Sequence, residues 1–160
     1  VTRAAHGEDE SAPGDNSACI FCEPRGPNAD LVVCNGRLCY VILNLYPYNN
    51  GHLMVVPRRH IRDLASTTVE ERAELMALAR VAEIALGEAY TPHGINAGIN
   101  LGRPAGAGVL NHLHIHLVPR WNGDTSFMSV VGNTRVLPED LAHTASRLRP
   151  IFERLSKEQT

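Results

Sequence analysis

Three histidines in strict alternation carry the strongest chemical signal in the chain. In Asn111-His112-Leu113-His114-Ile115-His116-Leu117-Val118-Pro119-Arg120, a strand would throw His112, His114 and His116 to one face and Leu113, Ile115 and Leu117 to the other. Successive histidines on such a face stand about 7 Å apart. An isolated strand histidine is ordinarily a surface or hydrogen-bonded residue. Three of them backed by apolar residues point to a metal cluster, or to imidazoles lined up for acid–base and nucleophilic work. A second set is Cys19-Ile20-Phe21-Cys22, whose spacing supplies half a zinc site or a redox pair. Third comes the loop Gly102-Arg103-Pro104-Ala105-Gly106-Ala107-Gly108 after Asn100, whose backbone N–H groups can approach an anion. It lacks the Lys-Ser/Thr of a P-loop and runs into a strand. Lying between a polar strand and a histidine strand, it suggests phosphate beside imidazole.

These groups must be held by a scaffold, and the patterning predicts one. Leu31–Asn35 and Leu38–Leu43 read as a hairpin about Asn35-Gly36, followed by turn chemistry over Tyr46–Gly51 and a third strand over His52–Pro57. A two-residue turn at Asn35-Gly36 sets Cys34 opposite Arg37 and Cys39 opposite Val32, so the two thiols do not face each other. A helix is expected over about 68–90: Thr67 with Glu70, or Thr68 with Glu71, has capping-box spacing. Leu75, Leu78/Ala79, Ala82 and Leu86 make its buried stripe, and Thr91-Pro92 ends it. His93–Asn100 alternates apolar Ile95, Ala97 and Ile99 with polar or small residues as a fourth strand, and His112–Pro119 is the fifth. Pro138 fits the first position of a last helix. Its stripe is Leu141, Ala145, Leu148, Phe152 and Leu155, and Pro150 is expected to kink or break it. Tight turns with one crossover helix imply α+β with an antiparallel sheet, not a doubly wound fold.

Composition bounds the function. The chain has 160 residues, 44% of them apolar, with Lys+Arg 15 against Asp+Glu 17. That balance argues against a protein that coats nucleic acid through phosphate contacts. Every cation but Lys157 is Arg. No apolar run approaches the roughly 18 residues of a membrane span, and no signal-peptide core follows the N-terminus. A cytoplasmic protein without membrane or nucleic-acid partners is the expectation. The four cysteines are too few for a disulfide scaffold. Residues 1–18 are polar and aperiodic and are expected to be disordered, leaving one domain over 19–160.

The motif His112-Leu113-His114-Ile115-His116-Leu117-Val118 resembles the histidine triad motif of the nucleotide-binding histidine triad (HIT) family. The order around it agrees: Cys19–Cys22, then Asn50-Gly51-His52-Leu53-Met54-Val55-Val56-Pro57, then Arg59-His60-Ile61 and the long helix. The likeness covers about residues 19–120. Leu43–Asn49, Ala105–Gly108 and Pro119–Met128 are further similar to the branch of bacterial diadenosine tetraphosphate phosphorylases. The resemblance implies a five-stranded antiparallel sheet with a long helix and a C-terminal helix, paired as a homodimer.

It also implies roles. His114 would be the nucleophile that attacks an α-phosphate and forms a nucleotidyl-histidine. His116 would assist the leaving group, and His52 would support His114. Asn100 and the backbone of Gly106, Ala107, Gly108 and Val109 would hold phosphates. Many relatives carry Gln and Ser or Thr where this chain has Gly108 and Val109, which puts more weight on backbone donors. Ile20, Phe21 and Leu43 would sandwich a purine, and Trp121 would either stack on nucleotide or pack on the partner subunit. In relatives with the N-terminal cysteine pair, a structural zinc takes Cys19, Cys22, His60 and His112 as ligands; no organic cofactor is implied. The reaction would cleave diadenosine tetraphosphate or a related dinucleoside polyphosphate, with inorganic phosphate as acceptor (ADP and ATP as products) or water (AMP). Two rivals are a nucleotide-binding sensor with little turnover and a metal-dependent hydrolase using the three histidines.

Overall fold

The computed structural model describes residues 19–124 and 139–158. The tail expected over 1–18 and Pro138 lie outside these residues. Five strands form one antiparallel sheet: β1 (Val32–Asn35), β2 (Cys39–Leu43), β3 (Leu53–Pro57), β4 (Gly94–Gly98) and β5 (Ile115–Arg120), in the order β1-β2-β3-β5-β4. Helix α1 (Val69–Tyr90) crosses from β3 to β4, and helix α2 (Leu141–Lys157) follows the sheet.

Register decides which side chains share a face. Ile42 pairs with Met54 and Met54 with His116, so these three lie on one side together with Tyr40 and Val56. Leu43 pairs with Leu53 and Leu53 with Leu117 on the opposite side. There Cys39 meets the Glu71 carbonyl of α1, so that side faces the helix. On the histidine side the Tyr40 hydroxyl donates to the Phe21 carbonyl at 2.8 Å, binding the N-terminal segment over the sheet.

Helix α1 starts at a full capping box in which Thr68 accepts from the Glu71 N–H and Glu71 reaches back to the Thr68 N–H. Glu71 also takes Arg59 bidentately at 2.8 Å, fastening the segment after β3 to the helix start. Leu75, Ala79, Ala82 and Leu86 are buried as the periodicity requires. The helix ends at Thr91, which sits in the left-handed region at φ 46° because Pro92 disfavours continued helix.

Three expectations are corrected. The hairpin turns at Arg37-Leu38, not at Asn35-Gly36: Asn35 pairs with Tyr40, and the Gly36 N–H donates to the Cys39 carbonyl. Glu74 of α1 accepts from the Leu38 and Cys39 N–H groups at 2.8 and 3.0 Å, so a tertiary contact outweighs the local turn preference. Helix α2 starts at Leu141 with Asp140 as its cap and runs on through Pro150. Pro150 lies on the exposed face, where water can satisfy the carbonyl it leaves unpaired. Finally, the ladder of β5 begins at Ile115, so His112 and His114 precede it. Their segment is held by the Leu113 N–H donating to the Ile61 carbonyl at 2.6 Å.

Candidate active site

Alternation persists through the triad even where the ladder does not. Leu113, Ile115 and Leu117 are buried among the core residues, and the histidines take the other side. That side is covered, since His112 and His114 are 1% and 4% exposed. Phe21 does the covering, with ring centroids 5.6 Å from His112 and 5.2 Å from His114.

Hydrogen bonds assign each ring its tautomer. His114 Nδ1–H donates to the His112 carbonyl at 2.9 Å, leaving Nε2 with its lone pair. Burial lowers the His114 pKa, which favours this neutral form. His52 Nδ1 accepts the Tyr48 N–H at 3.0 Å, so its proton resides on Nε2 and donates to His116 Nδ1 at 2.9 Å. His116 therefore carries its own proton on Nε2. Burial, and secondarily His114, draw the His116 pKa down to about 4, so this ring too is neutral near pH 7. The result is a nucleophilic nitrogen on His114 and a donor N–H on His116, with ring centroids 4.7 Å apart.

Beside this row stands a cluster whose ligand atoms, from Cys19, Cys22, His60 and His112, all lie within 4.8 Å of one another. Cys19 Sγ is 3.2 Å and Cys22 Sγ 3.6 Å from His112 Nδ1, and Cys22 Sγ is 3.1 Å from His60 Nδ1. Tetrahedral zinc with bonds of about 2.3 Å to sulfur and about 2.0 Å to nitrogen needs S–N edges of about 3.5 Å. The outer nitrogen of His112 donates to the Pro57 carbonyl at 2.8 Å, the arrangement that orients a metal-ligating imidazole. Burial first, then Cys19, push the Cys22 thiol up to about 11. Thiolates would share this space only with a cation between them. The four residues could hold a metal.

The residues of the glycine loop lie at the same end of the sheet. Gly98 pairs with His116, and Asn100 follows two residues on, its side-chain amide donating to the Gly106 carbonyl at 3.4 Å. Gly106 adopts φ 86°. The Gly106 and Ala107 N–H groups are spent on Arg103 and Gly102 carbonyls. Among the described residues, no backbone–backbone bond engages the N–H of Gly108 or Val109, so both N–H groups could meet an anion.

Other candidates are placed differently. Leu43 is 1% exposed on the helix-facing side, away from the histidines, and Ile20 is exposed; of the three apolar candidates only Phe21 joins the row. Trp121 lies beyond the other end of β5, since Arg120 pairs with Gly94 and His116 with Gly98. It lines an open cavity of about 390 Å³ with His93, Asn96, Arg120 and Asp124. Asp124 accepts from Arg120 at 2.6 Å and Asn49 at 2.9 Å, pinning the Trp121 turn to the turn before His52. Sequence reasoning missed Tyr48, whose ring lies 4.7 Å from His52 and 6.1 Å from His116. It also missed Asn44, whose amide lies 3.4 Å from both His52 nitrogens. Two tyrosines in a polar turn ahead of His52 were the available signal.

Fold and site define an α+β protein built around a row of buried and half-buried histidines. The chain belongs to the HIT domain family, whose model matches residues 25–123. It is 49% identical over 114 residues to the AP-4-A phosphorylase of Mycobacterium tuberculosis, covering 71% of this chain and 58% of that one. The chain thus spans little more than half the length of this relative. An uncharacterised HIT-like protein of Mycoplasma genitalium is 30% identical over 119 residues, covering 74% of this chain and 84% of that one. Among solved structures, a Zn-bound histidine triad family protein from Mycobacterium smegmatis superposes with TM-score 0.71 at 29% identity, covering 88% and 97% of the two chains.

Proposed function

We propose that this protein transfers a nucleotidyl group from diadenosine tetraphosphate or a related dinucleoside polyphosphate through His114 to inorganic phosphate. The observation that carries the reading is the His114 Nδ1–H bond to the His112 carbonyl, which leaves the Nε2 lone pair available on a ring held neutral. Attack by Nε2 on the α-phosphorus forms a P–N bond as the P–O bond to the leaving ATP breaks. The His116 Nε2–H donates a hydrogen bond to the departing oxygen and stabilises its charge, and the His112 carbonyl steadies the positive charge that grows on His114. Phosphate then attacks the same phosphorus through one of its oxygens, the P–N bond breaks with its electron pair returning to Nε2, and ADP leaves with His114 neutral again. The name of the 49% identical relative supports this substrate class. Asn100, Gly108 and Val109 would hold the phosphates, and Phe21 would pack against the transferred nucleoside.

Zinc on Cys19, Cys22, His60 and His112 would be structural, fastening the N-terminal segment to the triad. A homodimer completes the reading: among the described residues β4 pairs only with β5, and Val69 and Met76 of α1 are exposed apolar side chains. The setting would be cytoplasmic, where the four free cysteines stay thiols or metal ligands. Among the described residues, no helix is long and apolar enough to cross a membrane.

The test is product analysis with diadenosine tetraphosphate, with and without phosphate. ADP with ATP in ample phosphate is the expected outcome. AMP as the sole adenylate would make the protein a hydrolase, and binding without products would make it a sensor.

A further inference from the structure

We propose that Tyr48, with Tyr46 beside it, forms the stacking surface for the second nucleoside of a dinucleoside polyphosphate, the one that departs with the leaving group. The inference rests on the nucleotidyl-transfer reading above and gives that site a direction. Five rings stand in series: Phe21 to His114 at 5.2 Å, His114 to His116 at 4.7 Å, His116 to His52 at 5.1 Å, and His52 to Tyr48 at 4.7 Å. The nucleophile lies next to the Phe21 end. His116, whose N–H donates to the leaving oxygen, lies next to the Tyr48 end. An in-line displacement drives the leaving group away from the attacking nitrogen. The departing polyphosphate therefore runs toward Tyr48 while the transferred nucleoside stays toward Phe21.

The surface at that end suits a base. Tyr46 is 80% exposed and Tyr48 47%, with Leu45 beside them at 46%. Their backbone is nevertheless fixed: the Tyr46 N–H donates to Asn44 Oδ1 at 3.0 Å, and the Tyr48 N–H to His52 Nδ1 at 3.0 Å. A fixed turn that offers aromatic faces loses little freedom when a base stacks on it. Every base has a π-face, so such a platform would accept the second nucleoside with little regard to its identity. A mononucleotide polyphosphate has nothing to place there.

Two substrates that differ only in that nucleoside provide the test, diadenosine tetraphosphate and adenosine 5′-tetraphosphate, assayed with the full chain. Tyr46→Ala should lower kcat/KM for the dinucleotide about tenfold, mainly through KM, and leave that for the mononucleotide within about twofold. Tyr46→Phe should keep wild-type values, because the ring and not the hydroxyl carries the contact. Tyr48→Ala should lose more on the dinucleotide than on the mononucleotide. Equal losses on both substrates, or no loss on either, would overturn the assignment. So would a change in molecular mass by light scattering, which would make the turn a contact between copies of the chain. If the wild-type protein is adenylylated by neither substrate, the nucleotidyl-transfer reading fails, and the inference with it.

Discussion

His114 and His116 are two residues apart, and their surroundings give them opposite tautomers. His114 gives its Nδ1 proton to a peptide carbonyl, and His116 has its Nδ1 occupied by His52. Replacing His114 with Asn should cut turnover at least about a thousandfold, because no neighbouring nucleophile can stand in. Nucleotide affinity measured by calorimetry should stay near the wild-type value. Near-normal turnover in the folded variant would remove His114 from its role. His116 also has a pH signature. Its pKa falls from 6.5 to about 4 on folding, so the unfolded chain binds the proton more tightly. The ring's contribution to stability is complete above pH 6.5 and shrinks as the pH falls toward 4. Melting temperature recorded across that window should fall on acidification, and His116→Phe should flatten part of the slope. A melting temperature independent of pH there would contradict a half-buried ring kept neutral on folding.

At the scale of elements, the turn before β3 joins helix α1 to the site. Gly51 has φ 75°, and a Cβ there would come within 2.9 Å of the Tyr90 ring and 3.0 Å of Leu86. Gly51→Ala should destabilise the protein by about 1–3 kcal/mol, through left-handed strain and overpacking. Because His52 is the next residue, kcat should fall as well; urea unfolding and steady-state rates would record the two effects. Such elements differed in how plainly the sequence announced them. Period two in His112–Leu117 and the 3–4 repeat in α1 are local consequences of burial, and both were legible. The Asn35-Gly36 turn was misplaced because Glu74, 35 residues beyond Cys39, binds the peptide groups that close the hairpin. Leu43 was assigned to a base pocket by likeness alone. Its face follows from pairing with Leu53 and Leu117, a long-range register that no local pattern contains. Tyr48 was hidden for a related reason, since only the folded turn brings its ring onto His52.

Over the whole molecule, the donor cluster joins three distant stretches of chain: Cys19 with Cys22, His60, and His112. Purified protein prepared without chelators should contain near one zinc per chain. Cys19→Ser with Cys22→Ser should lower the melting temperature by at least about 5 °C, a loss of about 2 kcal/mol, and should alter kcat much less. Absence of zinc would sink the assignment and leave the chemistry of His114 intact. The same junction has a consequence for motion. The segment of His112 and His114 lies outside the sheet ladder, and a peptide hydrogen bond from the Leu113 N–H to the Ile61 carbonyl ties it to the neighbouring segment, one residue beyond His60. Amide exchange at Leu113 therefore reports detachment of the triad's entry from its anchor, while the protected amides of β5 report opening of the sheet. Two clocks a few residues apart would separate loosening of the reactive residue from unfolding of the protein around it.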